Sequence, residues 1–328
     1  MSGTSASLYP PITGIALIRL SGLLPLFFVI ALPGIARRPA FQPPSTLQTE
    51  QNTVRLSADL VTLHATVQNS KGNLVSGLGK ENFRVYEDGV IQQINSFAHE
   101  DIPVTVGLVI DNSGSMRPRR DDVIAAALAF SNAGNDKDQI FVVYFNEYVS
   151  FGLPANMPFT GKGAQLNAAL SKFATEGKTA LYDAVAAALD HLKKGDRDKK
   201  VLIVISDGAD NASRHSLAQI MAEARQSEAI IYTIGLYDPD DPYRRPGSLK
   251  QMANATGGEV FFPESIKEAV PICEQIAHDV RNQYSISYIP TNTNYDGKYR
   301  VIQVKVEAPG RGRLIVRTRL GYDAPVRP

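Results

Sequence analysis

Three short stretches of this chain carry oxygen-bearing side chains of a kind that suits a hard cation. Asp111-Asn112-Ser113-Gly114-Ser115 closes one apolar run, Ser206-Asp207-Gly208 closes another, and Gly177-Lys178-Thr179 precedes a helical pattern. Asp111, Ser113 and Ser115 are spaced by two, which in an extended loop points three side chains the same way. Gly114 lets such a loop bend closely around a small object. With Thr179 and Asp207 the set comprises two carboxylates and three hydroxyls, and no His or Cys. That chemistry matches Mg2+, with Mn2+ or Ca2+ as alternatives, rather than zinc or copper. Hydroxyls dampen an ion's charge less than carboxylates do, so an ion held this way stays electrophilic toward an anionic oxygen from outside.

Other chemistries find less support. Gly177-Lys178-Thr179 mimics the end of a phosphate-binding loop, but the glycine that loop needs is Lys172 here. No Gly-x-Ser-x-Gly elbow is present, and no His lies in the three stretches, so a hydrolase would lack a placed base. The chain has one cysteine, Cys273, and five scattered histidines, which excludes an intramolecular disulfide and a Cys-rich metal site. Lys plus Arg number 34 against 33 for Asp plus Glu, so the basic surplus that grips nucleic acid is missing. Asp238-Pro239-Asp240-Asp241-Pro242 reads as a solvated acidic loop, and Arg117, Arg119 and Arg120 as a solvated helix start. Cys273, on an apolar helical face, reads as a buried inert thiol.

The elements that must position these residues are legible in the hydropathy pattern. From about Pro103, continuous apolar runs (104–110, 140–145, 201–205, 230–234) alternate with helical stretches (121–131, 164–173, 181–192, 216–227, 249–255, 266–282). Ser216 is placed to cap its helix. Continuous apolar strands are those buried on both faces of a parallel sheet. The pattern predicts an α/β fold, a doubly wound, mostly parallel sheet with helices on both faces. Ligand sites in such sheets lie beyond the carboxyl ends of the strands, where Asp111 and Asp207 stand. On either side the chain alternates apolar and polar residues, with Asp88-Gly89, Asp296-Gly297 and Pro309-Gly310 as turns. Too few strands lie on each side to stand alone. They are expected to pair into one small β domain around the inserted α/β domain.

The run Asp111-x-Ser113-x-Ser115, followed by Thr179 and Asp207, resembles the metal-ion-dependent adhesion site of von Willebrand factor A domains, over about residues 103–282. The resemblance implies that Ser113, Ser115 and Thr179 ligate a divalent cation directly. It implies that Asp111 and Asp207 often act through bound water, and that an Asp or Glu of a protein partner completes the shell. The flanks, with Val75-Ser76-Gly77-Leu78 and Phe83-Arg84-Val85-Tyr86-Glu87-Asp88-Gly89, are similar to an exported bacterial group of such proteins, prominent in acidobacteria.

The N-terminus is consistent with export. Residues 20–32 are uncharged and largely apolar, Arg19 precedes them, and Gly34-Ile35-Ala36 offers a cleavage site. The rival reading is an uncleaved anchor over about 12–36, the one route by which this chain would meet a membrane. The expected organisation is a signal peptide or anchor (1–36), a linker rich in Pro, Gln, Ser and Thr (37–52), a β segment (53–100), the α/β domain (101–282) and a second β segment (283–323). The expected function is non-enzymatic, metal-dependent capture of an acidic partner. The alternatives are a scaffold with a stabilising metal and a metal-dependent hydrolase.

Overall fold

Alternating burial along the first strand sets the pattern for the flanking segments. Strand β1 (Val61–Asn69) buries Val61, Leu63, Ala65 and Val67 and turns Thr62 and His64 the other way. Strands β2 (Phe83–Glu87), β3 (Val90–Gln92) and β4 (Ile94–Ala98) follow. Asp88 and Gly89, both at positive φ (48° and 81°), turn β2 into β3 as the Asp-Gly pair predicts. The computed structural model describes residues 60–172, 176–237 and 246–326. The expected leader or anchor, the linker, residues 53–59 and the acidic loop at 238–242 lie outside the described residues. Leu56–Pro328 is one compact unit.

The central segment contains β5 (Val104–Asp111), α1 (Arg120–Asn132), β6 (Gln139–Phe145), β7 (Val149–Phe151), α2 (Gly163–Leu170) and α3 (Leu181–Leu192). It continues with β8 (Lys199–Ser206), α4 (Leu217–Gln226), β9 (Ile230–Gly235), α5 (Pro246–Thr256), β10 (Val260–Phe261) and α6 (Ala269–Arg281). The sheet order is β10-β9-β8-β5-β6-β7. All pairs are parallel except β6 with the edge strand β7. Every residue of β5 is buried, which requires packing on both faces of the sheet. Gly107 at its middle has no room for a side chain, since a Cβ there would lie 2.5 Å from Phe141 and 2.6 Å from Leu202. The mostly parallel α/β architecture matches the sequence expectation. Among the described residues no helix is long and apolar enough to cross a membrane.

The C-terminal segment adds β11 (Tyr284–Tyr288), β12 (Tyr299–Val306), β13 (Leu314–Arg317) and β14 (Gly321–Asp323). The two flanks intermix. One sheet runs β13-β1-β11-β4 and the other β14-β12-β2-β3. Their inner faces share a core that includes Leu63, Phe83, Val85, Tyr284, Ile286 and Ile302. Phe83 and Tyr284, one from each flank, pack with ring centroids 5.0 Å apart and planes tilted by 52°.

Several element bounds differ from the sequence reading, and the helix expected over 164–173 ends at Leu170. The helix expected over 266–282 starts as a 3-10 turn at Ile266–Glu268, because Pro271 has no N–H to close a first α-turn back to Lys267. The apolar and polar alternation of residues 314–320 suggests one strand, but β13 ends at Arg317 and β14 joins the other sheet. A Cβ at Gly321 would lie 2.2 Å from the Arg300 carbonyl, so this crossing requires glycine. Strand β7 has three residues, too few to show a period.

The outward face of β1 predicts an acid sensitivity. His64 Nδ1 lies 3.2 Å from Ser285 Oγ. Burial, aided by the charges of Lys199 and Arg319, pushes the imidazole down to about 3. Between that value and the ordinary value of about 6.5, the unfolded chain binds a proton here and the fold does not. This part of the stability is whole above about pH 6.5 and is lost as pH falls toward 3. Urea unfolding of wild type and His64→Gln, at about pH 7 and about pH 4.5, should show the variant losing about 2 kcal/mol less on acidification. Parallel losses in the two chains would refute the assignment.

Candidate metal centre

Strand β5 is flanked by β6 on one side and β8 on the other, so the strand order reverses there. The carboxyl ends of β5 and β8 lie side by side, with Ile110 opposite Ile205. Asp111 is the last residue of β5, and Asp207 directly follows β8. Topology alone thus delivers two carboxylates to one edge of the sheet.

Hydrogen bonds lock each ligand candidate. Asp111 is buried, and its Oδ1 accepts from the Ser113 amide at 2.9 Å. Its Oδ2 accepts from Ser206 Oγ at 2.6 Å. Ser113 is extended (φ −68°, ψ 167°), and Gly114–Arg119 then coil into a 3-10 turn. The loop is therefore not extended through Ser115, as the spacing argument assumed. The turn still brings Ser115 Oγ to 3.2 Å from Ser113 Oγ. Ser115 Oγ donates to Asp207 Oδ2 at 2.7 Å, joining residues 92 apart in the chain. Asp207 Oδ1 accepts from the Ala209 amide at 3.0 Å.

Thr179 comes from the third loop, which touches the first where the Gly114 amide donates to the Gly177 carbonyl at 3.2 Å. Gly177 needs to be glycine, because its φ is +85° and a Cβ would strike the Glu147 carboxylate. The Thr179 amide donates to Asn211 Oδ1 at 2.9 Å, and its carbonyl accepts from the amides of Asn211 and Ala212. Its hydroxyl makes no hydrogen bond among the described residues. The structure thus gathers the three loops that carry the five predicted residues. Asp111, Ser113, Thr179 and Asp207 are buried, and Gly114 and Ser115 reach solvent.

Electrostatics at the centre are unfavourable without a counter-charge. Burial, then the neighbouring Asp207 carboxylate, raises the Asp111 carboxyl to about 6, against hydrogen bonds from Ser113 and Ser206 that favour the ionised form. The donor set fits a hard divalent cation, since hydroxyls of Ser113 and Ser115 stand with Asp207 beside Asp111, and Thr179 comes from the adjoining loop. Among the described residues no three His, Cys, Asp or Glu cluster in a way that could hold a metal, so this centre depends on its hydroxyls. Cys273 is buried, and burial pushes its thiol up to about 12, as expected of an inert core group.

Sequence reasoning assigned no supporting role to Ser206, Gly177 or Asn211, although the first two lie in the stretches it singled out. Asn211 belongs to an Asn-x-Ser triplet whose partner Ser213 is occupied locally, with its Oγ donating to Asp210 at 2.6 Å. Asp210 Oδ2 also accepts from the Tyr182 amide at the start of α3. The signal available was the density of polar residues after β8, in Asp207-Gly208-Ala209-Asp210-Asn211.

A doubly wound sheet with hydroxyls and carboxylates gathered at its switch point defines a class of α/β ligand-binding domains. Residues 105–275 match the model of the von Willebrand factor type A domain, and the chain belongs to that family. No curated protein matches it. Among solved structures, a von Willebrand factor type A protein from Catenulispora acidiphila is similar at 14% identity and a TM-score of 0.50, over 83% of this chain and 75% of that one. BatB from Bacteroides thetaiotaomicron is similar at 15% identity and a TM-score of 0.46, over 54% of this chain and 98% of that one. Proximal thread matrix protein 1 from the mussel byssus, described with a zinc-occupied adhesion-site motif, reaches 18% identity and a TM-score of 0.46, over 59% and 49%. At such identities the likeness bears on the fold alone.

Proposed function

We propose that this chain is an exported or membrane-tethered binding protein whose α/β domain captures an acidic residue of a protein partner through a divalent cation. The observation that carries the reading is the convergence of Asp111, Ser113 and Ser115 with Asp207, through the Ser115–Asp207 hydrogen bond, at a solvent-facing turn. Ser113, Ser115 and Thr179 are the proposed direct ligands, with Asp111 and Asp207 behind them. When bound, the cation supplies an electrophilic position for an outside carboxylate. Ser206 and the Ser113 amide hold Asp111 in place, and Asn211 holds the Thr179 backbone. Mg2+ is the first candidate ion, with Mn2+ or Ca2+ next. The export reading rests on the apolar segment at 20–32.

A hydrolase is disfavoured by what surrounds the centre. Ser213 Oγ is engaged by Asp210 and by the Asp183 amide, and His215 Nδ1 by Asp183. Ser213 donates to Asp210, and among the described residues no hydrogen bond joins it to His215, so the link between nucleophile and base is missing.

Calorimetric titration with Mg2+, Mn2+ and Ca2+ in turn should reveal one saturable site in wild type and none in Asp111→Ala. Asn211→Ala should weaken the site roughly 10- to 100-fold, as loss of an outer support does at metal centres. Immobilised protein should then retain an Asp- or Glu-bearing peptide in metal and release it into chelator. Retention that survives excess chelator would overturn the proposal.

A further inference from the structure

The face that β1 turns away from its core opens onto a groove of about 610 Å³, inside the roughly 300–1,000 Å³ of small-molecule sites. The sheet of the flanks supplies its floor. Thr62 and His64 of β1 stand opposite Ser287 and Ser285 of β11, and Ala98 of β4 stands beyond Ser285. Thr62 Oγ1 lies 3.1 Å from Ser287 Oγ, and His64 Nδ1 lies 3.2 Å from Ser285 Oγ. The facing wall belongs to the α/β domain, through the turn at 195–198, Lys200 and Glu228. That turn precedes β8, whose eight residues span about 25 Å, so the groove lies at the opposite sheet edge from the metal centre. Packed layers normally fill their gaps with apolar side chains and leave few voids larger than a water. Here the floor residues are short and mostly hydroxyl-bearing, and the gap persists.

The charges around the groove cancel. Glu100, Asp196, Asp198 and Glu228 line it, against Arg197 and Lys200. The Arg197 guanidinium is engaged by Asp196 at 3.1 Å and by the Lys137 carbonyl. Two more cations, Lys199 and Arg319, stand close enough to act on His64. Lys199 is buried and donates to the Val280 carbonyl at 2.8 Å, and Arg319 donates to the carbonyls of Gly321 and Arg225. Four carboxylates thus face four cations, so an ion of either sign gains little from the local field. Burial pushes the His64 imidazole down to about 3, which leaves it neutral at about pH 7. What the groove offers is hydrogen bonding of both senses. Its carboxylates accept, Lys200 donates, and the hydroxyls of Thr62, Ser285 and Ser287 do either. That mixture matches a ligand with many hydroxyls and no charge. Leu60, Ala98 and Ile102 add apolar contact for its C–H faces.

We propose that this groove binds a neutral mono- or disaccharide, independently of the metal centre. Asp198 and Glu228 accept from sugar hydroxyls, and Lys200 donates to a sugar oxygen. Among the described residues none of these three makes an ion pair, so all are available to a ligand. Bonds from hydroxyls to the two carboxylates are charge-assisted and supply most of the hold.

The test uses the full chain in chelator, so that the metal centre contributes nothing. Saturation-transfer NMR and calorimetry are run with glucose, galactose, N-acetylglucosamine, maltose and cellobiose, and with spermidine and phosphate as charged comparators. At least one sugar should bind saturably at one site, and neither spermidine nor phosphate should displace it. Ala98→Tyr fills the groove from an exposed position and should abolish binding with the thermal midpoint unchanged. Asp198→Asn/Glu228→Gln keeps the volume and should weaken binding about tenfold, the effect of losing a hydrogen bond to a charged group. This double variant decides the matter if Ala98→Tyr folds poorly. Asp111→Ala should bind sugar as wild type does. Failure of every sugar to bind, tighter binding of spermidine or phosphate, or sugar binding that both groove variants leave intact overturns the proposal. The metal reading stands or falls separately, on the cation titration.

Discussion

Arg317→Ala is expected to destabilise the fold by about 3–5 kcal/mol, the usual cost of removing one partner of a buried ion pair. Arg317 ends β13, in the sheet built by the flanks, yet its guanidinium reaches the α/β layer. It pairs with Glu259, just before β10, and with Asp279 of α6 at 2.7 Å. The guanidinium also lies 6.0 Å from the centroid of the Tyr232 ring. The Asp279 side chain is 1% exposed, so without Arg317 its charge would be stranded. Burial already raises the Asp279 carboxyl, and Arg317 works against that rise. Thermal unfolding should show a midpoint lowered by roughly 10 °C. Adding Asp279→Asn should recover part of the loss, because the second change removes the unpaired charge. A single variant within about 1 kcal/mol of wild type would show that the triad is not holding the two layers together.

Divalent cation at a hundred times its dissociation constant should stabilise wild type by about 2.7 kcal/mol, and Asp207→Ala not at all. The gain arises because the unfolded chain cannot gather the three loops. Asp207 is the sensitive position, since its two oxygens tie Ser115 to the Ala209 amide. Melting curves with and without Mg2+ or Mn2+ would read the difference directly. An equal shift in both chains would place the ion elsewhere. A shift in wild type without retention of any carboxylate peptide would favour the scaffold reading over capture.

Much of this was visible in the chain. The boundaries of α3 and β11 match the apolar pattern, and Ser216 caps α4 by accepting from the Gln219 amide. These features are local, set by side-chain period and by hydrogen bonds within one turn. The five ligand candidates were legible because residue type and position at strand ends carry their chemistry. Their supports were not. Ser206 bonds Asp111 across 95 positions and Asn211 bonds Thr179 across 32, and the same residue types elsewhere would serve only a turn.

Residue order and periodicity were enough to specify an α/β chain flanked by β segments and a sheet edge rich in oxygen ligands, because side-chain period and residue type at a strand end are local properties. Neighbourhood was not specified. That β5 lies between β6 and β8, that β1 sits between β13 and β11 in particular, and that Arg317 meets Asp279 follow from packing whole layers. Contacts between residues so far apart leave no trace in any short window. Burial of both sheet faces selects them, and burial is a property of the assembled fold.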